Sequence, residues 1–282
     1  FHPGTINVVK GGPGSRRYFV DRGISSLHPE FARVSQHFQR VLKQRNALMR
    51  TATGHTPSSL AVWTEHFIAA AVQLMRYRQA HVEQLNDTLA TLVQHLGDDI
   101  GPVSLQYRPA VFAAGSSPEE ACAAWESDTL LHERCMAEAR RLQRAEEAMR
   151  QTLFGPQRDD FLIRYRGRES RSYASQGEQR LTAFLLVAAL AITIHRQRGH
   201  YPVVLLDDVI SELDERNRMV VFDFLKTHAF QVFVTDVEER PQYRDLSLHT
   251  SLHVRQIGGW AEISGVTAHR DAPGDSLAHG GN

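Results

Sequence analysis

The period of the apolar residues assigns most of the elements in this chain. Phe31, Val34, Phe38, Val41, Leu42 and Leu48 recur at helical spacing, predicting a helix from Pro29 to about Arg50 that TATGHTPSS ends. Phe67, Leu74, Tyr77, Leu85, Leu89, Leu92 and Leu96 line a second helix, Leu60 to Leu96, broken by the Gly97–Pro102 turn. At Val103 to Pro109 the period drops to two, with Val103, Leu105 and Tyr107 facing inward. A third helix is expected from Ser116 to Leu153, opened by Ser117, Pro118, Glu119 and Glu120. Phe161 to Gly167 and Gln231 to Asp236 read as strands, and Glu212 to Lys226 as a helix. Val203 to Leu206 is a continuous apolar run, expected as a buried parallel strand. The helices keep no clean heptad, so a compact helical lobe is expected and a long coiled-coil arm is not. Turns at Pro3-Gly4 and Gly11 to Gly14 mark the first residues, and the closing HRDAPGDSLAHGGN reads as a disordered tail.

Composition narrows the class. The 282 residues are 42% apolar, enough for one or two domains with a core, and the formal net charge is zero. No global field therefore draws the chain to nucleic acid, although arginines cluster locally. Cys122 and Cys135 show no CxxC spacing and fit reduced thiols of a cytoplasmic protein. The longest apolar stretch, Phe184 to Ile194, is too short for a membrane span, and the 15 histidines show no HExxH or paired ligand spacing.

The chemistry concentrates in two places. The strand Val203 to Leu206 delivers Asp207 and Asp208 to its C-terminal edge, where open α/β sheets bind ligands. Ser211, Glu212, Leu213 and Asp214 follow as a short turn. Upstream, Ser175, Gln176, Gly177, Glu178 and Gln179 open a long apolar helix, LTAFLLVAALAITIHRQ, whose N-terminal N–H groups favour a phosphate. A structural reading stands beside each. Asp208 suits a helix N-cap, and Ser175 with Glu178 has the spacing of a capping box.

In that order, the motifs resemble the signature helix, Walker B strand and D-loop of ATP-binding-cassette ATPases. The resemblance extends over nearly the whole chain to the RecF family of DNA replication and repair proteins, relatives of the SMC-type cassette ATPases. VVKGGPGSRRYFVDRGISSLHPEF looks like the family's Val-Lys-Gly-x-Pro-x-x-Arg-Arg-x-Phe-x-Asp block. HFQRVLKQRNALMR is similar to its Leu-Lys-Gln-Arg-Asn helix, GPQRDD to its Gly-Pro-His-Arg-Asp-Asp turn, and SQGEQR to its Ser-Gln-Gly-Gln-Gln-Arg. Gln157 replaces the family's usual His, and Glu178 is the residue SMC-type proteins place at that point. The resemblance ends near Pro241.

What the resemblance implies is an α/β fold, the distal part of an ABC/SMC-type P-loop ATPase head with an inserted helical lobe. Residues 1–28 would belong to the head, 29–154 to the lobe and 155–262 to the distal head, with 263–282 as a tail. Asp207 would hold Mg²⁺ and Asp208 would orient or deprotonate the attacking water. Residues 175 to 179 would bind ATP in trans, Ser211 to Asp214 would run along the dimer interface, and Thr235 would be the γ-phosphate switch. The sequence contains no GxxxxGK[ST] loop, and Gly11 to Gly14 lacks the Lys-Ser or Lys-Thr of one. The chain thus looks like part of a longer protein, expected to bind ATP weakly alone and hydrolyse none, whereas the complete protein would be a slow DNA-dependent ATPase. Implied partners are single-stranded and gapped double-stranded DNA, a second copy held by ATP, and recombination mediators, with no membrane. DNA contacts are expected among three clusters: Arg16, Arg17 and Arg22; Arg40, Lys43, Arg45 and Arg50; Arg164, Arg166, Arg168 and Arg171. Arg164 and Arg166 would share one strand face. Two alternatives remain: a non-enzymatic interaction module derived from a cassette, and an overcoming-lysogeny or SMC-like ATPase. LKQRN and GPQRDD favour the RecF family over the latter.

Overall fold

The computed structural model describes residues 3–51, 57–97, 99–112, 123–208, 210–211, 213–228, 230–236, 241–245, 248–257 and 260–270. A short helix α1 (Asn7–Lys10) and helix α2 (Pro13–Leu27) fill the segment expected to be turns. Pro13 stands at the first helical position, where its missing N–H costs nothing, so the Gly-Gly-Pro-Gly run starts a helix instead of forming a loop. Helix α3 (Phe31–Arg50) buries Phe31, Val34, Phe38 and Val41, its expected stripe. Helix α4 (Pro57–Leu96) is the longest element, 40 residues, and packs on α3 and on strand β1 (Val103–Arg108). Val103, Leu105 and Tyr107 face the core, as their alternation predicts.

The third helix is shorter than expected. Trp125 and Glu126 form a turn, and α5 (Asp128–Met149) begins after Ser127, whose hydroxyl accepts the Leu130 N–H. Ala123 and Ala124 are helical as well, so the expected helix is interrupted at 125–127, and Ser127, extended before Asp128, caps the part that follows. Residues 116–122, with the expected Ser117 cap and Cys122, lie outside the described residues. Strand β2 (Asp160–Tyr165) pairs antiparallel with β1 and with β3 (Arg168–Glu169). Arg166 and Gly167, at φ 50° and 76°, make the two-residue turn between β2 and β3. Arg166 thus lies off the strand and shares no face with Arg164.

A single turn, α6 (Ser170–Tyr173), leads into α7 (Gln176–Arg198), buried almost all round against α4 and α8 (Glu215–Thr227). By length and composition the whole of α7 is long and apolar enough to cross a membrane, although the Phe184–Ile194 stretch alone is not. Yet 67% of the apolar window of α7 is buried inside the protein, as befits a core helix. Strand β4 (Val204–Asp207) pairs parallel with β5 (Val232–Thr235). Only one face of this pair is covered: Val204 and Leu206 are buried, whereas Val203, Leu205 and Phe233 are 55%, 57% and 56% exposed. The apolar run suggests two buried faces; among the described residues only helices on one side cover it.

A hairpin, β6 (Leu248–Ile257) and β7 (Trp260–Arg270), closes the described chain, with no counterpart among the expected elements. Because β7 pairs through Arg270 with Leu248, the tail expected from 263 is corrected over 263–270; residues 271–282 lie outside the described residues. One apolar core runs through α1 to α4, β1, β2, α5, α7, β4 and α8.

Candidate functional site

The parallel register sets Asp207 of β4 beside Thr235 of β5 at the C-terminal edge. Thr235 Oγ1 donates to Asp207 Oδ1 at 2.7 Å and accepts the Asp208 N–H at 2.9 Å. Asp208 has φ 51°, a left-handed conformation that a short carboxylate tolerates. Its side chain accepts from Ser211 Oγ at 2.5 Å, so Asp208 caps no helix here; Asp214 caps α8 instead, accepting the Asn217 N–H at 2.8 Å. The edge thus presents two carboxylates and two hydroxyls, all hard oxygen donors of the kind Mg²⁺ takes alongside phosphate oxygens.

Ser175 caps α7 and forms the capping box with Glu178: the Ser175 hydroxyl accepts the Glu178 N–H, and the Glu178 carboxylate accepts the Ser175 N–H at 2.8 Å. The Gln176 and Gly177 N–H groups remain at the open end of the helix, beyond the reach of its own carbonyls, a setting suited to an anion. Gln179 is turned inward instead; its amide donates to the Ser170, Arg171 and Ala174 carbonyls and clamps α6 against α7. Gly177 lies against the turn that follows β4. A Cβ there would meet Asn217 Nδ2 at 3.2 Å and Asp214 Oδ2 at 3.3 Å. Leu213 is buried and anchors that turn, while Glu212 lies outside the described residues. The residues therefore fall into two groups: Asp207, Asp208, Ser211 and Thr235 in one, and Ser175 to Gly177 with Asp214 in the other. Asn217, which joins the second group, carries no motif that marks it in the sequence.

The arginine clusters separate on burial. Arg16 is buried and makes a two-pronged ion pair with Asp160, and Arg17 donates to the Asp159 carbonyl, so the first block and the GPQRDD turn meet across the fold. Arg45 is buried and ion-paired to Glu146 at 2.6 Å, with Thr64 and Thr152 as further acceptors. Arg166 donates to the Asp99 carbonyl. Arg16 and Arg45 are buried, Arg17 is half-buried and Arg166 is exposed, yet all four spend donors on partners within the fold. Arg22, Arg40, Lys43, Arg50, Arg168 and Arg171 are exposed, and Arg164 is half-buried.

Sequence reasoning misses a buried arginine on α4. Arg78 forks onto Asp21 at 2.9 Å and reaches Asp159, which also takes the Tyr107 hydroxyl and the Ala110 N–H. Its signal is a charge within an apolar stripe, since a buried charge has to be paired. Gln157 occupies the place of the family His, and its amide donates to the Phe154 carbonyl at 2.7 Å.

No protein-family model matches the chain. Curated relatives do. The DNA replication and repair protein RecF of Heliobacterium modesticaldum is 34% identical over 238 residues, covering 83% of this chain and 61% of the relative. RecF of Streptomyces avermitilis is 34% identical over 226 residues, 77% of this chain and 58% of the relative. The chain therefore spans about 60% of the length of the relatives it matches. Among solved structures, the recombination mediator protein RecF-ATP in the RecFOR pathway superposes with a TM-score of 0.75 over 94% of this chain and 66% of that one, at 22% identity. The RecF-ATPrS structure gives a TM-score of 0.74. The chain shares the fold of these RecF structures, a small α/β region with a larger helical part, and it is a homologue of RecF proteins, matching their distal part.

Proposed function

We propose that this chain is the distal part of an ATP-dependent protein of DNA replication and recombinational repair. One observation carries the reading: Asp207 and Asp208 stand at the C-terminal edge of a parallel strand, held by Thr235, and nothing in the packing of that edge requires two carboxylates. In this reading Asp207 holds Mg²⁺, Asp208 orients or deprotonates the attacking water, and Thr235 senses the γ-phosphate. Mg²⁺ supplies charge neutralisation at the phosphates. Ser175, Gln176, Gly177 and Glu178 face ATP held by a second copy, with Gln179 setting the turn from inside. Ser211 to Asp214 run along the interface between the copies. The packing of Gly177 on Asp214 supports this coupling, since it ties the signature end of α7 to the turn that follows the carboxylates.

The bare apolar face of β4 and β5, with Val203, Leu205 and Phe233, is where the remainder of an ATPase head would pack. Residues 1–28 then belong to the head, 155–262 to its distal part and 29–154 to the helical lobe. ATP holds a homodimer closed on gapped or single-stranded DNA in the cytoplasm, hydrolysis releases it, and recombination mediators use the loaded state to install recombinase and set off the SOS response. A ligand that contacts only the closed state shifts the equilibrium toward it.

The test is sizing of the full gene product with and without ATP. Ser175→Arg is expected to abolish ATP-dependent dimerisation while ATP binding by the monomer persists. Dimerisation unchanged by that substitution removes the trans assignment.

A further inference from the structure

Beside the β1–β2–β3 sheet lies a cationic cleft of about 590 Å³ that the proposed ATPase chemistry does not use. Arg108, Arg164 and Arg168, one from each strand, line it together with Leu162, Glu169 and Tyr173. Asp160 stands opposite Arg108 in the strand register, but its carboxylate is taken up by Arg16. Among the described residues Arg108, Arg164 and Arg168 make no salt bridge, although Glu169 stands opposite Arg164 in the strand register. Arg164 spends one N–H on the Gly167 carbonyl at 3.0 Å, which fixes its guanidinium over the β2–β3 turn. Three arginines against one glutamate leave the cleft positive although the chain as a whole is neutral.

Two features choose among anions. The arginines are spread across three strands and along them: Arg108 stands opposite Asp160, four positions from Arg164 and five from Tyr165, the partner of Arg168, so first and last backbones lie roughly 20 Å apart, which suits a run of phosphates better than a single one. Tyr173 is 70% exposed, and the Arg168 guanidinium lies 5.9 Å from its ring centroid. An exposed aromatic face beside arginines is a stacking platform for an unpaired base, which a duplex cannot offer. Tyr173 also stands two residues before Ser175, so a strand seated here borders the helix end assigned to the partner's nucleotide.

We infer that this cleft binds single-stranded nucleic acid, with Arg108, Arg164 and Arg168 on the phosphates and Tyr173 stacked on a base. The inference rests on the DNA-directed reading above and supplies the contact site that reading lacks.

Anisotropy of a labelled oligothymidylate, measured on the purified chain across a salt series, tests it. The double variant Arg108→Ala/Arg168→Ala is expected to weaken binding and to flatten the log–log salt slope by about 1.4, roughly 0.7 for each phosphate of a single strand that is no longer neutralised. Tyr173→Ala is expected to cost about five- to 150-fold in affinity, while Tyr173→Phe binds as wild type. All these side chains except Arg164 are exposed, so the variants keep the fold. Arg140→Ala/Arg144→Ala, which removes two exposed α5 arginines outside the cleft, is expected to change neither quantity. Equal losses from the α5 pair, wild-type binding by the cleft variants, or no binding by wild type each overturn the assignment. So does a duplex that binds as tightly as the oligothymidylate with no dependence on Tyr173. Inorganic pyrophosphate captured through the same arginines, with oligothymidylate unmoved, overturns it in favour of a small-anion site. ATP-dependent dimerisation is scored separately; its loss would sink the clamp and leave this binding curve untouched.

Discussion

Thr235 Oγ1 donates to Asp207 Oδ1 across 2.7 Å and so locks the ends of two parallel strands together. The same oxygen accepts the Asp208 N–H, which in its left-handed conformation has no strand partner. Thr235→Val keeps the shape and removes both bonds. With the site exposed, the expected loss is about 1 kcal/mol, the net worth of such bonds, and Thr235→Ser should recover most of it. Urea unfolding of the three proteins decides. Equal midpoints for Val and Thr would mean that water replaces the hydroxyl and that the carboxylates are positioned by the strands alone.

The buried Arg45–Glu146 pair makes a second prediction, because the sequence places Arg45 among the DNA-contacting clusters. Removing either partner leaves a charge inside the core, so Arg45→Met and Glu146→Gln should each cost about 3–5 kcal/mol. The double variant should be less unstable than the sum by about 1–3 kcal/mol, the coupling typical of a contacting pair. Additive losses in a denaturation cycle would show that the pair is not a unit. A DNA-contact role for Arg45 would instead appear as a changed salt slope with unchanged stability.

Period and punctuation make much of this fold legible. The α3 stripe and the inward face of β1 follow from spacing alone, since side chains on one face must be buried together. Asp207, Asp208, Ser175 and Gly177 are likewise visible as motifs at element ends. Three features are not. The bare face of β4 is hidden because an apolar run specifies greasy surface, not what covers it. Arg16, Arg45 and Arg166 read as free charge, whereas their partners Asp160, Glu146 and Asp99 lie far away in sequence. The cleft is half visible: Arg164 and Arg168 stand in one cluster, but only the β1–β2 register adds Arg108 from more than fifty residues upstream.

Burial pushes the Cys135 thiol up to about 12, helped by the Asp159 carboxylate. The thiolate is the reactive form, so this cysteine should be inert in the folded protein. On a Cys122→Ser background, Ellman's reagent at pH 8 is expected to report no free thiol until denaturant is added, and then one. Rapid release of colour from the native protein would place Cys135 at the surface.

His81 is held neutral inside the helical core. Burial pushes its pKa down from 6.5 to about 4, with His28 adding to the fall and Asp21 opposing it. The unfolded chain takes up a proton near pH 6.5 and the folded chain only near 4, so the unfolded state binds more protons between these values. Stability contributed by the neutral ring is therefore complete above pH 6.5 and is lost as the pH falls toward 4, by at most about 1.4 kcal/mol per pH unit. Neither ring nitrogen has a hydrogen-bond partner among the described residues, so His81→Leu removes no bond and should be close to neutral at pH 7. At pH 5 the leucine variant should exceed wild type by about 2 kcal/mol, because it has no proton to take up on unfolding. Urea midpoints of both proteins from pH 7 to 5 measure the gap. Parallel profiles would mean that His81 charges without unfolding, through an opening of the α2–α4 contact where it lies over Gly23.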